Sequence, residues 1–280
     1  MYLDLSDELK RVIPDGCDPF VWLLEGHGVT HRHVKNRLTY EQSLGDLHFF
    51  VKRHLGCGWN EVFKEWYRFR KPVVSARTEW EGAESLCKAG IRVPKVLGKG
   101  ERGSYPHAIE SFVVLEALED CDTLEHFKEG WHDYTGVNWV RLKRDLITEV
   151  ATISRKMHAK GINHRDFYLN HFLLNRKHIK NWSPRTEIQL NLIDLHRVQQ
   201  RSSVPRRWLI KDLGSLIFSA LDVGLTSSDA ARFLKIYLGP NWKQLLCNDL
   251  SLWQSIMKRA VKLYVGFHGT RPKLPKLLTT

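Results

Sequence analysis

Apolar and polar residues follow one another in short strand-like runs over the first third of the chain and at helical spacing over much of the rest. Residues 20–24 (Phe-Val-Trp-Leu-Leu) are continuously apolar and read as a strand, followed by a glycine-bearing turn at Glu25-Gly-His-Gly-Val-Thr30. Residues 31–42 read as one polar strand, 43–46 as a turn, and 47–53 as a second strand carrying Lys52. Trp59, Val62, Phe63, Trp66 and Phe69 fall at helical spacing, and Pro72 closes that helix. A further helix is expected over 78–89, with Thr78 as its cap and Gly90 as its stop. Residues 98–106 are turn-rich, 111–118 form a buried strand, and the acidic stretch 119–122 leads to a helix start at Thr123.

Beyond this point, Val140, Leu142, Leu146, Ile147, Val150, Ile153 and Met157 make the apolar stripe of a long amphipathic helix over 139–160. Phe172 to Leu174 is a short apolar run, the basic segment after it is irregular, and alternation over 188–194 marks a strand ending at Asp194. Helices are expected from Lys211 to Ala220 and through most of 227–264, with Trp242 and Trp253 inside. The tail over 271–278 reads as flexible, and there is no internal repeat.

Composition narrows the classes. A chain of 280 residues can hold one large domain or two small lobes, each with a core. Its formal charge of +12 points either to an anionic partner, whether a phosphorylated ligand, an acidic membrane surface or nucleic acid, or to plain solvated surface charge. Cys17, Cys57, Cys87, Cys121 and Cys247 are odd in number and contain no C-x-x-C pair, which argues for a reducing compartment over a disulfide framework or a zinc site. The acidic first ten residues do not resemble an export signal, and no apolar run approaches the about 20 residues of a membrane span.

The stretch that organises the rest is Gly161-Ile-Asn-His-Arg-Asp-Phe-Tyr-Leu-Asn-His-Phe-Leu-Leu174. In the kinase pattern H-R-D-x-x-x-x-N the Asp takes the proton of an attacking hydroxyl, and the residue five places later helps hold a metal on the nucleotide phosphates. Here His164-Arg165-Asp166 supplies the first part, and His171 stands in the fifth place. We place Arg165 and Lys52 in the catalytic set beside Asp166. Asp194, at a strand end, is the carboxylate suited to a metal, and Lys52 is placed to meet nucleotide phosphates, with Glu79 its favoured partner over Glu81 and Glu84. Glu116 and Leu118 flank an expected hinge whose main-chain groups would bind adenine. Asp212 is read either as a brace beneath the catalytic loop or as a first-turn helix acid. Arg201, Arg206, Arg207 and Lys211 could bind a phosphorylated acceptor or a membrane surface, or form a solvated loop.

Taken in order, Lys52, Glu79, the hinge at Glu116, His164-Arg165-Asp166 and Asp194 resemble the protein-kinase-like fold across nearly the whole chain. More narrowly, residues 159–174, Leu192-Ile-Asp-Leu-His-Arg197, Val204-Pro-Arg-Arg-Trp208 with Lys211-Asp-Leu213, and Gly224-Leu-Thr226 with Arg232-Phe233 resemble the bacterial lipopolysaccharide core heptose kinases, most of all heptose I kinase. That family shares the His five places after the Asp, and D-L-H in place of D-F-G. The resemblance implies an α+β, two-lobed kinase fold with a small β-rich N-terminal lobe over 1–117, a hinge over 118–122, and a larger helical lobe over 123–280. It implies ATP-dependent phosphorylation of an inner-core heptose at the cytoplasmic face of the inner membrane. Lys52 would hold the ATP phosphates, Glu79 would orient Lys52, Asp166 would be the base, and Asp194 with His171 would serve Mg2+. The partners implied are the lipopolysaccharide core acceptor and the anionic membrane surface, with no nucleic acid expected.

Phe167-Tyr-Leu-Asn170 differs from the cysteine-containing version of the heptose I enzymes, which keeps a heptose II or other core-sugar kinase open. A nucleotide-binding pseudokinase is the alternative from another class. A protein kinase fits less well, because the interval from Asp194 to Asp212 leaves little room for a peptide-docking segment.

Overall fold

Strict alternation of side chains across a sheet explains how the N-terminal part is built. In order come β1 (Tyr2–Leu5), α1 (Asp7–Val12), α2 (Pro19–Glu25), β2 (Val29–Val34), β3 (Arg37–Leu44), β4 (Leu47–Leu55), α3 (Arg77–Lys88), β5 (Val96–Arg102) and β6 (Glu110–Glu116). The strands form one antiparallel sheet in the order β1-β5-β6-β4-β3-β2. Tyr40, Phe49, Val51, Phe112 and Val114 face one side, where Leu9 of α1 and Phe20 and Leu23 of α2 complete a closed core. Val113 and Leu115 face the other side and pack with Ala76 and Trp80. Lys52 pairs with Val113 and therefore shares this second face.

The computed structural model describes residues 1–34, 36–56, 75–105, 107–126, 138–184 and 186–275. These fall into two compact units, one of residues 1–84 and 94–118, the other of residues 85–93 and 119–280.

Several local expectations change. Residues 20–24 are helical, because Asp18 accepts a hydrogen bond from the Phe20 N–H at 2.8 Å and Pro19 sits in the first turn. The continuous apolar run is a helix buried on most of its circumference. The glycines after it join helix to strand instead of closing a hairpin: Gly26 has φ +82°, and a Cβ on Gly28 would lie 2.0 Å from the Glu41 carbonyl oxygen. Residues 31–42 are shared between two strands, so Lys52 lies on the third strand of the β2-β3-β4 meander. Residues 98–102 belong to β5 instead of a turn. Their glycines answer to packing: a Cβ on Gly98 would come 2.7 Å from Leu9 and one on Gly100 2.7 Å from the Phe112 ring. Gly100→Ala is therefore expected to destabilise the fold by about 1–3 kcal/mol through overpacking against Phe112 and Phe20. A thermal unfolding midpoint equal to that of the parent chain would show that the rings yield.

The second unit continues with β7 (Cys121–Thr123), α4 (Trp139–Ala159), β8 (Ile162–Asn163), β9 (Phe172–Asn175), α5 (Arg176–Lys180), β10 (Leu190–Leu192), β11 (Gln199–Gln200), α6 (Arg206–Ala220), α7 (Ser227–Leu238), α8 (Trp242–Asn248) and α9 (Leu250–His268). Two small antiparallel sheets, β10-β9-β7 and β11-β8, carry the loops around Asp166 and Asp194. Thr123 ends a strand and folds back on the His126 N–H instead of starting a helix. Strand β10 stops at Leu192, two residues before Asp194. The long helix over 139–159 holds as expected except that Val140 is exposed. Of the two tryptophans, Trp253 is buried and Trp242 half-buried against the same cluster. The helix expected over 59–70 and the end of the tail lie outside the described residues. The result is the expected α+β class, an antiparallel β-rich N-terminal part followed by a mostly helical C-terminal part.

Candidate active site

Each unit carries its own part of the predicted constellation. In the first, Lys52 Nζ lies 2.5 Å from Oε1 of Glu79, which is 2% exposed in the first turn of α3. A carboxylate this deeply buried is tolerated because an ammonium meets it; without Lys52 it would be an uncompensated charge. The other two acids of α3 have different partners. Glu84 pairs with Lys99 at 2.5 Å, and Glu81 lies 3.8 Å from Arg77. At the end of β6, the Glu116 N–H donates to the Lys95 carbonyl and the Ala117 N–H to His48, both at 2.9 Å. Leu118 follows as the last residue of the unit.

In the second unit, α4 ends at Ala159 and is followed by Gly161, whose φ is +70° and where a Cβ would meet the Arg201 carbonyl oxygen at 1.9 Å. The chain then passes under Asp212. This aspartate is fully buried in the second turn of α6, which begins five residues earlier than the sequence pattern suggested. Its Oδ2 accepts from the His164 N–H at 2.8 Å and its Oδ1 from the Arg165 N–H at 2.7 Å. Asp212 is thus the brace, and the first-turn reading falls. The two bonds hold Arg165 at φ +76°, a conformation costly for a residue with a side chain. The Arg165 guanidinium lies over the Trp208 ring, 4.6 Å from its centroid.

His164 is fully buried, and desolvation holds its imidazole below the usual histidine range, so it is neutral. Its Nε2 donates to the Ile193 carbonyl at 3.0 Å, while the Ile193 N–H donates to the His171 carbonyl at 3.0 Å. These two bonds lock the Asp166 loop to the Asp194 loop. His171 Nδ1 is 2.6 Å from the Asp166 carbonyl oxygen. A carbonyl only accepts, so Nδ1 carries the hydrogen and Nε2 of the neutral ring is an acceptor. That Nε2 faces Asp194 Oδ2 at 3.5 Å. Two lone-pair donors turned toward each other could share a cation, although among the described residues no group of three or more His, Cys, Asp or Glu side chains gathers to hold a metal ion. His196 Nδ1, 2.6 Å from Asp194 Oδ1, orients that carboxylate from the other side. A carboxylate oxygen and an imidazole nitrogen are donor types that a divalent metal accepts.

Asp166 itself is held by residues that sequence reasoning did not single out for this role. Arg197 Nη1 donates to both of its carboxylate oxygens at 3.0 Å, and Lys211 Nζ lies 3.6 Å from Oδ1. An arginine three places after a strand-end aspartate has no spacing signal of its own; only the 3-10 turn Leu195–Arg197 brings it round. The basic group expected to act together is dispersed. Arg201 bonds Asn163 and Gln199, Arg206 bonds Asp249 in the open, Arg207 lies over Trp208, and Lys211 stands at Asp166.

The family model described as Lipopolysaccharide kinase (Kdo/WaaP) matches residues 22–237. The chain is 38% identical over 264 residues to the lipopolysaccharide core heptose(I) kinase WaaP of Pseudomonas aeruginosa, covering 94% of this chain and 96% of that protein. It is also 38% identical over 247 residues to WaaP of Escherichia coli K12, covering 88% and 89%. A solved structure of WaaP in complex with acyl carrier protein superposes with a TM-score of 0.77 at 36% identity, covering 94% of this chain and 100% of that one. A family match over more than half the chain, with relatives this similar nearly end to end, places the protein in the lipopolysaccharide kinase (Kdo/WaaP) family.

Proposed function

We propose that this chain transfers the γ-phosphate of ATP to a hydroxyl of heptose I in the lipopolysaccharide inner core. The observation that carries this reading is the pair of carboxylates, Asp166 and Asp194, on loops locked to each other through Ile193, in a chain similar to heptose(I) kinases over 94% of its length. Phosphoryl transfer asks a protein mainly for positioning and charge neutralisation. Asp166 orients the acceptor hydroxyl and receives its proton as the oxygen attacks phosphorus. Lys52, held by Glu79, binds the nucleotide phosphates, and main-chain groups at Glu116 and Leu118 receive adenine. Mg2+, held by Asp194 with His171 beside it, neutralises phosphate charge when bound.

The acceptor is anchored in a bilayer and carries anionic groups, which suits a chain of formal charge +12 working at the cytoplasmic face of the inner membrane. Among the described residues no helix is long and apolar enough to cross it. The acyl carrier protein seen with a solved relative is a further partner we extend to this chain. The second unit holds an apolar cavity of about 130 Å³, lined by Leu146, Val150, Leu216, Phe233 and Trp253 among others, and such a space favours a hydrocarbon chain over a polar ligand. Co-elution with acylated but not with unacylated carrier is the expected sign; equal behaviour of the two forms would remove this partner.

The test of the reaction is phosphate transfer from ATP to purified core lipopolysaccharides differing in heptose content, with the product located by mass spectrometry. Phosphate on heptose I is the expected result. Phosphate only on heptose II would move the chain to a neighbouring activity, and ATP binding with no core product would make it a regulatory module.

A further inference from the structure

The charge around Asp166 does not balance. One carboxylate meets Arg197 on both oxygens and Lys211 on one. Arg165 and Arg259 add to the positive field felt by Lys211, whose ammonium is pushed below the ordinary lysine range first by burial and then by Arg197. Arg201 is engaged with neutral side chains and the Arg165 guanidinium with an indole ring, while the acids whose field Arg165 feels are Asp166 itself and the brace Asp212. The loop from Phe167 to His171 contains no lysine or arginine. A site that must stabilise a transferring phosphoryl group thus has no cation in the stretch after Asp166, and two cations delivered to one carboxylate from outside it, one more than that carboxylate balances.

Both cations ride on the elements that position the carboxylates. Arg197 ends the 3-10 turn that starts directly after Asp194, and Lys211 precedes the brace Asp212 on α6. Their distances to Asp166 are therefore fixed by the same backbone that fixes the loop. Neither is spent on another acid: Arg197 and Lys211 have Asp166 as their carboxylate among the described residues.

We propose that Arg197 and Lys211 are catalytic cations that neutralise the migrating phosphoryl group at Asp166. This rests on the kinase reading above. In the step, the acceptor oxygen forms a bond to the γ-phosphorus as the bond to the bridging oxygen of ADP breaks, and the hydroxyl proton passes to Asp166. Negative charge spreads over the non-bridging oxygens while the Asp166 carboxylate is losing its own. The two side chains, freed in part from Asp166 by that proton, turn to the phosphoryl oxygens next to it. Their attraction is greatest where the charge moves, so they act on turnover more than on substrate binding.

The experiment compares Arg197→Met and Lys211→Met with the parent chain in two measurements. In transfer from ATP to core lipopolysaccharide, each variant is expected to lose about 10²–10³-fold in kcat, with KM for ATP and acceptor changed only a few-fold. In binding, ADP with aluminium fluoride, a mimic of the transferring group, is expected to bind the parent more tightly than ADP alone, and this advantage should vanish in the variants while ADP affinity persists. A merely structural role would lower the two affinities together. Parent-like kcat, or an undiminished fluoride advantage, overturns the proposal. If the parent transfers nothing to the core, the kinase reading fails, and the binding measurement still decides the role of the cations.

Discussion

Asp166→Asn is expected to lower kcat by about 10²–10⁴-fold while leaving KM for ATP within a few-fold of the parent. Asn keeps the shape of the side chain and one oxygen acceptor, so the loop geometry set by Asp212 is not disturbed. It removes the charge and the site for the hydroxyl proton. It also turns an amide N–H₂ toward a group that already holds Arg197 at 3.0 Å and Lys211 at 3.6 Å. Donor would face donor, and the cations would be released toward phosphate oxygens without a base beside them. If ATP binding tightens while transfer collapses, Asp166 acts at the chemical step. Near-parental transfer would remove Asp166 from the mechanism and with it the reason to place Arg197 and Lys211 there.

The comparison with Lys52→Met separates binding from chemistry. Lys52 lies in the other unit and meets Glu79 there. Its loss takes away phosphate contact and leaves Glu79 buried and unpaired, so KM for ATP should rise along with a fall in kcat.

What the sequence made legible was whatever one short segment decides by itself. The apolar stripe from Leu142 to Met157 is a helix because more than four turns of period 3.6 leave no other solution, and 111–116 is a strand because its apolar residues leave neither face for water. Glu79 was favoured over Glu81 and Glu84 as the partner of Lys52 because strand and helix brought the two within reach, and the pair is there at 2.5 Å. Errors arose where a residue type has two physical uses. Gly98 and Gly100 read as turn glycines, yet they serve close packing against Leu9 and Phe112. The apolar run 20–24 fits a buried strand or a buried helix, and only the Asp18 cap with Pro19 decides for the helix. Arg197 was beyond reach for a different reason: its function depends on a 3-10 turn and on a carboxylate 31 residues earlier, and neither leaves a spacing that one sequence can display.

Asp212→Ala is expected to be the most damaging substitution to the fold of the second unit, at about 3–5 kcal/mol, toward the lower part of the range that its two bonds span. The value follows from two charge-assisted hydrogen bonds of about 1.5–3 kcal/mol each, whose donors would be left buried with no partner. Arg165 makes the loss larger than a count of bonds implies. Its φ of +76° is held against its own side chain by the bond from its N–H to Asp212, and without that bond the residue can relax toward ordinary backbone angles. Asp166 comes next, so the relaxation moves the carboxylate itself. His158, with Nε2 3.4 Å from Asp212 and Nδ1 2.8 Å from the Tyr237 hydroxyl, would lose the acid at the end of its own chain of contacts. Asp212→Asn gives the sharper comparison: its single oxygen can satisfy one N–H but places an amide against the other, so about half the stability loss is expected with nearly the full loss of turnover. At about 2–4 °C of thermal midpoint per kcal/mol, the Ala variant should melt roughly 6–20 °C below the parent. A midpoint within a degree or two of the parent would mean that water replaces the carboxylate at both N–H groups, and the loop would then owe its strained shape to its remaining bonds, among them the one His164 donates to Ile193 and the one His171 accepts from it.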